Sequence, residues 1–272
     1  MAELQICLLG SFQASWDFKP VSGSAWGDAR AIRLLKLVLL RRPDPVPEEE
    51  VAKLLGLADP AALTARVNQV IQPAAALQIW PSGAIGFHAG EACWIDLDAM
   101  LHHYQTGVSA ALRGEMMAAV LAFQEADGLY QGDLLEEVQE PWVTEPRKRL
   151  RAIYTEILDR LAEGHAVLAR YQDAVGFCHK ALAHDPLREV TYQRMMVYYY
   201  YLGDMSGARD AYQACRQALE ENRRPVSEET ISLWERLNRR EVSVESPALL
   251  AAPAVEPPQD PSGKTGGSGS AK

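Results

Sequence analysis

The sequence predicts a mainly α-helical protein: an N-terminal winged helix-turn-helix of mixed α and β structure, followed by all-α tetratricopeptide-like helical repeats. Three observations support this fold class. Short strand-like segments, three helical segments and a hairpin signal follow one another in the first 95 residues. Helical periodicity then continues to about residue 241. Within that second region, apolar and small residues recur 34 positions apart, which is the period of tetratricopeptide hairpins.

The chain has 272 residues, of which 48% are hydrophobic and 23% charged, as expected for about two globular domains. We place these domains at residues 1–95 and 96–241, and we expect the Pro-, Gly- and Ser-rich segment 242–272 to be a disordered tail. No basic leader precedes an apolar segment at the amino terminus, and no apolar run approaches the roughly 20 residues of a membrane span. These features predict a soluble cytoplasmic protein that does not bind a membrane.

The four cysteines lie far apart in the sequence, which argues against a zinc site and against a disulfide framework. The histidines lack the spacing of a metal or catalytic motif, and the carboxylate pair Glu136–Glu137 is typical of solvated surface. The triplet Gly263–Thr265 has the letters of a phosphate-binding loop, but Pro258 replaces its first glycine and no strand precedes it. We therefore predict no enzyme activity, no metal and no other cofactor.

The first domain follows the order of a winged helix. Residues 4–18 are predicted to form one or two strands with a bend at Gly10. Helical segments are then expected at 30–42, at 48–57 and from Asp59-Pro60 to about residue 72. A Pro-Ser-Gly turn at 81–83 between two apolar runs indicates a closing hairpin. In this architecture the third helix enters the major groove of DNA.

The repeat in the second domain is visible when 165–182 is compared with 199–216. The matched pairs, all 34 apart, are Leu168 with Leu202, Ala169 with Gly203, Tyr171 with Met205, Ala174 with Ala208, and Cys178 with Tyr212. A fainter copy places Gly114 against Gly203, but about 20 extra residues follow it near 130–146. Small residues at these positions allow close helix approach, and each hairpin buries its apolar face against its neighbours.

Four consecutive tyrosines, Tyr198 to Tyr201, occupy the second copy. Successive helical side chains point about 100° apart, so these rings surround the helix axis and cannot form one stacking surface for bases. A helix that is apolar on all sides is buried, and we therefore predict core packing with one or two hydroxyls at the surface. Tyr198 and Tyr201 are the candidates for contact with a protein partner. Asp185 is expected to cap this helix, with Pro186 as its first residue.

Four local motifs resemble the bacterial transcriptional activation domain over about residues 95–238. They are Tyr130–Leu135 (YQGDLL), Trp142–Leu150, Asp185–Glu189 and Pro225–Leu233, in the order found in that family. The resemblance implies a tetratricopeptide-like domain behind an OmpR/PhoB-type winged helix, as in antibiotic-regulatory-protein-type regulators. It also implies that the N-terminal domain binds double-stranded DNA.

The candidate DNA-binding residues lie on two helices. Arg66, Asn68 and Gln69 have the chemistry to contact guanine and adenine edges from the third helix. Arg30, Arg33 and Lys36, with Arg41 and Arg42, are candidates for phosphate contact, but a charged outer helix face explains them equally well. The family's recognition helix is Arg-rich and uninterrupted, whereas here Pro73 is expected to end or kink it.

Net charge is −9 and neither domain is basic, so DNA affinity has to come from a local patch. The basic cluster at 147–151 contains Arg147 and Arg151, which are expected either to pair with acidic neighbours or to contact a protein surface or DNA. The sequence leaves two hypotheses. In the first, a DNA-binding regulator uses its helical domain for homodimerisation, another protein partner or RNA polymerase. In the second, a degenerate winged helix has lost DNA binding and the chain is a protein-interaction scaffold.

Overall fold

The computed structural model describes residues 3–56 and 60–241. The predictions for Asp59, for the tail and for the triplet at 263–265 lie outside the described residues. The N-terminal elements, in chain order, are β1 (Leu4–Cys7), β2 (Gln13–Trp16), β3 (Lys19–Pro20), α1 (Gly23–Trp26), α2 (Ala29–Arg41), α3 (Glu48–Leu55), α4 (Pro60–Ile71), β4 (Ala75–Ile79), β5 (Ile85–Ala89) and β6 (Cys93–Ile95).

Two small sheets frame these helices. The first has the order β3-β2-β1-β6, with β1 antiparallel to β2 and parallel to β6. The second is the β4–β5 hairpin, which turns between Trp80 and Ala84 where the Trp80 amide donates to the Ala84 carbonyl. Val46, before α3, pairs with Ile85 and so ties the hairpin to the helices. Helices α2, α3 and α4, followed by the β4–β5 hairpin, form the predicted winged helix-turn-helix. The predicted fold class is confirmed.

Pro73 does not kink α4, the third of these helices. Helix α4 ends at Ile71, the Gln72–Pro73 peptide bond is cis, and β4 begins two residues later. The proline therefore lies in the connection to the wing. The predicted interruption is present, and its place is after the last helical residue.

Among the described residues, seven helices follow: α5 (Asp96–Leu112), α6 (Met116–Leu129), α7 (Pro141–Val167), α8 (Tyr171–His184), α9 (Glu189–Tyr201), α10 (Met205–Glu221) and α11 (Glu228–Asn238). The turns before α6, α8 and α10 have the same geometry. Each contains one residue with positive φ, namely Gly114 at 77°, Ala169 at 56° and Gly203 at 76°. The amide after each of them bonds a carbonyl five residues earlier, as in a Schellman motif. The 34-residue repeat is therefore a repeat of turn geometry.

Two glycines outside the repeat turns permit close helix approach, whereas a Cβ added at Gly114 or Gly203 would meet no atom within 4 Å. A Cβ added at Gly107 of α5 would lie 2.6 Å from the Phe123 ring of α6. One added at Gly164 of α7 would lie 2.3 Å from Val120 Cγ2 of α6. Both glycines therefore sit where two helices are in direct contact.

The tyrosine run packs against a core cluster formed by α7 to α11. Tyr198 is 2% exposed, and the other three rings are half-buried against the same cluster. Core packing agrees with the prediction, but Tyr198 is wrong as a candidate for partner contact because its ring is enclosed. Tyr201 is half-buried and stacks on Tyr171 at 5.0 Å between ring centroids.

Helix α9 begins at Glu189, so the predicted start at Pro186 is wrong. Asp185 instead follows α8, and its carboxylate accepts a bond from the Leu187 amide in the connecting turn. Farther along α9, Arg194 is 1% exposed and forms ion pairs with Asp159 and Glu163 of α7. This buried pairing joins α9 to α7.

Candidate nucleic-acid and protein interfaces

The solvent-facing side of α4 is built from short side chains. Ala61, Ala62, Ala65 and Gln69 are exposed, while the opposite side of the helix packs into the domain core. Alanines on this face allow the helix backbone to come close to another surface, and their methyl groups can contact a thymine methyl.

Arg66 lies at the edge of this face and is held by neutral groups. Its Nε donates to the Trp26 carbonyl at 3.1 Å, and its Nη1 donates to Gln69 Oε1 at 3.0 Å. Gly27 makes room for the guanidinium, since an added Cβ there would lie 2.4 Å from Arg66 Nη2. Arginine has five N–H donors, so this arrangement orients the side chain and leaves donors for a ligand.

Asn68 bonds the backbone of the wing. Its Nδ2 donates to the Leu77 carbonyl at 2.9 Å, and its Oδ1 accepts from the Leu77 amide at 2.7 Å. Both ends of the side-chain amide are therefore occupied by the first strand of the wing. These bonds fix the wing to α4, and contact of Asn68 with DNA stays a prediction.

The basic residues of α2 do not form a common phosphate-binding face. Arg30 pairs with Asp28, the residue that caps the helix, at 2.7 Å. Arg33 instead bonds Glu140 at 3.0 Å, and Lys36 bonds Glu137 at 2.5 Å. Both of these carboxylates belong to the helical domain. The charged groups of Arg33 and Lys36 are used between the domains in this structure, and their contact with phosphates stays a prediction.

Arg41 and Arg42 are also engaged. Arg41 pairs with Glu50 of α3, and Arg42 bonds the Asp98 carboxylate of α5 through both terminal nitrogens at 2.6 and 2.8 Å. Each of the five basic residues of α2 and its C-terminus therefore has a carboxylate partner in this fold. Of them, Arg30 is the most exposed, at 50% of its side chain.

The wing carries no positive charge. No Lys or Arg occurs between Arg66 and Arg113 in the sequence, a range that includes both wing strands. Ile79 and Trp80 are about half exposed at the tip, and the Glu48 carboxylate packs against Gly83 in the turn. This surface is apolar and acidic, which is unfavourable for contact with phosphates.

The segment 130–140, here called the junction loop, joins the two domains. The Leu135 amide donates to the Leu8 carbonyl at 2.8 Å, the Gly10 amide donates to the Asp133 carbonyl at 3.0 Å, and the Glu136 amide donates to the Gly10 carbonyl at 3.1 Å. The junction loop thus extends the end of β1. It coincides with the extra residues that displaced the faint first copy of the repeat.

Both acidic side chains at 136–137 contact the winged helix. Glu136 accepts from Ser11 Oγ at 2.8 Å, while Glu137 accepts from the Phe12 amide and from Lys36. Burial raises the pKa of Glu137, but the hydrogen bond from Lys36, the backbone hydrogen bonds and the Lys36 charge together outweigh burial, and the pKa is lowered. Both residues are exposed, as the sequence indicated, and their carboxylates also bond the winged helix.

The family comparison bears on the part of the chain that supplies the junction loop. A family described as "Bacterial transcriptional activator domain" matches residues 95–237, more than half of the chain. The chain belongs to this family. Members are transcriptional regulators, and this bacterial transcriptional activator domain is the helical domain, α5 to α11. No curated protein matches the chain.

Among solved structures, the chain is similar to Mycobacterium tuberculosis EmbR, whose structure is described as a complex with a low affinity phosphopeptide. The TM-score is 0.74 at 19% sequence identity, and the match covers 88% of this chain. It covers 66% of the EmbR chain, which is just under two thirds. At this identity the similarity shows a shared fold.

Within the activator domain, the basic cluster holds the junction loop. Arg147 donates to three backbone carbonyls, those of Leu134, Leu135 and Val138. Arg151 pairs with Asp133 and, through that hydrogen bond, helps to lower the aspartate pKa against the opposing effect of burial. Arg147 and Arg151 therefore have structural roles, and for Arg151 the expected pairing with an acidic neighbour is present. Their contact with a partner stays a prediction. The motif YQGDLL followed by RKRLR was the sequence signal for this arrangement.

The described residues form neither a metal site nor a membrane-spanning helix. Over residues 3–56 and 60–241, no group of three or more His, Cys, Asp or Glu side chains is placed to hold a metal ion. Within the same ranges, no helix has the length and apolar character needed to cross a membrane.

Proposed function

We propose that this protein is a cytoplasmic DNA-binding transcriptional regulator in which α4 enters the major groove and the activator domain binds a protein partner or RNA polymerase. The exposed face of α4 carries this proposal. It combines small side chains with Arg66 and Gln69. These two side chains are hydrogen-bonded to each other, and Arg66 also donates to the Trp26 carbonyl. Arg66 suits a guanine edge and Gln69 an adenine edge.

Phosphate contacts are few in this arrangement. Lys53 on α3 is exposed beside α4, and Arg30 is half exposed. Each neutralised phosphate contributes about −0.9 to the slope of log affinity against log salt, so two or three contacts give a slope of roughly −2 to −3. Such a monomer binds DNA weakly, and a homodimer on two half-sites would double the number of contacts.

A second candidate function is a protein-interaction scaffold that does not bind DNA. The observation that favours it is the charge of the winged helix. The wing has no Lys or Arg, and Arg33 and Lys36 are paired with carboxylates of the activator domain. Exposed Trp80 and Ile79 would then contact protein.

One experiment separates the two functions. Genomic DNA fragments are selected on the full chain at about 50 mM salt, and the mass of the chain in solution is measured by light scattering. The DNA-binding proposal predicts an enriched sequence whose affinity falls about tenfold or more for Arg66→Ala and for Gln69→Ala. The matched control is Arg149→Ala, an exposed arginine on α7, which should bind like wild type.

Absence of any enriched fragment would reject DNA binding, and a stable complex of defined mass would then favour the scaffold. Gln69→Ala serves beside Arg66→Ala because Gln69 is exposed and its loss does not remove the bond to Trp26. A fall in affinity for Arg66→Ala alone, together with lower stability, would indicate a structural role of Arg66.

A further inference from the structure

A groove of about 650 Å³ lies between α6 and α8, on the outside of the activator domain. The end of α7 reaches it through His165. Its polar lining includes Gln124, Asp127, His165, Arg170, Asp173 and Lys180. The Asp127 carbonyl accepts from the Tyr130 amide at the first residue of the junction loop, at 3.2 Å. The side chains that line the groove bond neither the winged helix nor the junction loop within residues 3–56 and 60–241, so the groove is separate from the surfaces described above.

His165 supplies a buried polar atom without a hydrogen-bond partner. The residue is 4% exposed, and its Nδ1 makes no hydrogen bond in the described part of the chain. The nearest carboxylate oxygen, Asp173 Oδ2, is 3.5 Å away, which is beyond a good N–H···O distance. Buried polar atoms in folded proteins almost always have a partner, and one that borders a groove can find it in a ligand.

Two cations at the groove have donors to spare. Arg170 precedes α8, is exposed and has no carboxylate partner among residues 3–56 and 60–241. Lys180 donates to both oxygens of Asp127 at 2.9 Å and is half exposed. An ammonium group has three donors, so one remains. Together these side chains can bind a carboxylate that enters from solvent.

An apolar strip continues from the polar part of the groove. Met117 and Leu121 of α6 are 52% and 56% exposed. They precede Gln124 by seven and three positions, so all three side chains share one face of the helix. On the facing helix, a Cβ at Gly176 would meet no atom within 4 Å, so the groove wall is open there.

We propose that this groove binds an extended peptide segment of a protein partner that carries an apolar side chain followed by an acidic one. The apolar side chain packs on Met117 and Leu121, and the carboxylate bonds Arg170 and Lys180. Gln124 and His165, between these ends, bond the peptide backbone. The proposal deepens the protein-binding role proposed for the activator domain and does not depend on whether α4 binds DNA.

The test is a selection of phage-displayed random peptides on the full chain, followed by anisotropy titration of synthetic, labelled copies of the enriched sequences. Groove variants are Arg170→Glu and Leu121→Glu. Their matched controls are Arg149→Glu and Phe18→Glu, which change an exposed arginine on α7 and an exposed apolar residue of the winged helix. Circular dichroism confirms that each variant is folded.

We expect enriched peptides to pair Leu, Ile or Phe with Asp or Glu, and each groove variant to weaken binding by about tenfold or more while the controls bind like wild type. A peptide whose acidic residue is replaced by Lys should bind Arg170→Glu better than it binds wild type. No enrichment, or binding that is insensitive to both groove variants, would overturn the proposal. DNA-fragment binding by the same variants should be unchanged, so failure here is distinguishable from failure of the DNA-binding function.

Discussion

Lys36 of α2 donates a 2.5 Å hydrogen bond to Glu137 of the junction loop, 101 positions away in the sequence. The lysine side chain is 10% exposed, so its charge is largely removed from water and depends on this carboxylate. The pair connects the helix that precedes the helix-turn-helix to the activator domain. Together with Arg33–Glu140, it fixes how the winged helix is held relative to the helical domain.

Replacing the carboxylate should destabilise the protein. We expect Glu137→Gln to lower the free energy of unfolding by about 1–3 kcal/mol, because Lys36 keeps its charge in a largely buried position without an anionic partner. Urea denaturation at neutral pH measures the effect. The matched control is Glu145→Gln, whose partner Lys148 is 68% exposed, and which should change stability by less than about 0.5 kcal/mol. Equal effects of the two variants would contradict the structural importance of the Lys36 pair.

The effect of Glu137→Gln on stability should depend on pH. The folded pKa of Glu137 is lowered, since the Lys36 hydrogen bond, the backbone hydrogen bonds and the Lys36 charge together outweigh burial. The stabilising contribution of Glu137 is therefore complete above the unfolded glutamate pKa of about 4.3. That contribution is lost as pH falls through the lower, folded pKa. The stability difference between wild type and Glu137→Gln should therefore be constant from pH 7 to about pH 5 and shrink below that. A difference that grows on acidification would refute the assignment.

The charged face of α2 shows a limit of sequence interpretation. Arg33 and Lys36 have the helical spacing of a solvated or phosphate-binding face, and that spacing is identical when the face meets another domain. Their partners lie about a hundred residues away, and no local pattern encodes such a pairing. By contrast, the turns of the repeat are local, and the 34-residue spacing of Ala169 and Gly203 correctly indicated equivalent positions. The order of helices and wing was likewise encoded in periodicity and turn residues.

Neighbouring residues on α4 should behave differently. Asn68→Ala removes two hydrogen bonds to the Leu77 backbone and leaves a strand amide without its partner, which should cost about 1–3 kcal/mol of unfolding free energy. Gln69→Ala removes an exposed side chain and should cost less than about 0.5 kcal/mol. Chemical denaturation of both variants checks the contrast. If Gln69→Ala were the more destabilising change, the division between a wing-fixing Asn68 and a ligand-facing Gln69 would be wrong.

Helix approach through Gly164 gives a fourth prediction. An added methyl group would lie 2.3 Å from Val120 Cγ2, so Gly164→Ala must push α7 away from α6. Overpacking of this kind costs about 1–3 kcal/mol. The control is Gly128→Ala in α6, where no atom lies within 4 Å of the added Cβ, and where alanine should stabilise the helix by about 0.5–1 kcal/mol. Opposite signs in thermal denaturation are expected, and destabilisation by both variants would argue against a specific contact at Gly164.

The repeated turn allows a reciprocal exchange. Ala169 has φ of 56° and Gly203 has φ of 76°, at equivalent positions 34 residues apart. A side chain with a Cβ is strained in this left-handed conformation by about 1 kcal/mol, whereas glycine is not. Ala169→Gly should therefore raise the unfolding free energy by up to about 1 kcal/mol, the relief of strain exceeding the greater entropy of an unfolded glycine. Gly203→Ala should lower the unfolding free energy by a similar amount. No atom lies within 4 Å of the added Cβ, so the effect there comes from the backbone alone.

Thermal unfolding of the two single variants and of the double variant measures these changes. Because the turns are separate, the change in the double variant should lie near the sum of the two single changes. Destabilisation by Ala169→Gly would mean that the turn before α8 does not require the left-handed conformation. The two turns would then be equivalent in sequence position but not in backbone strain.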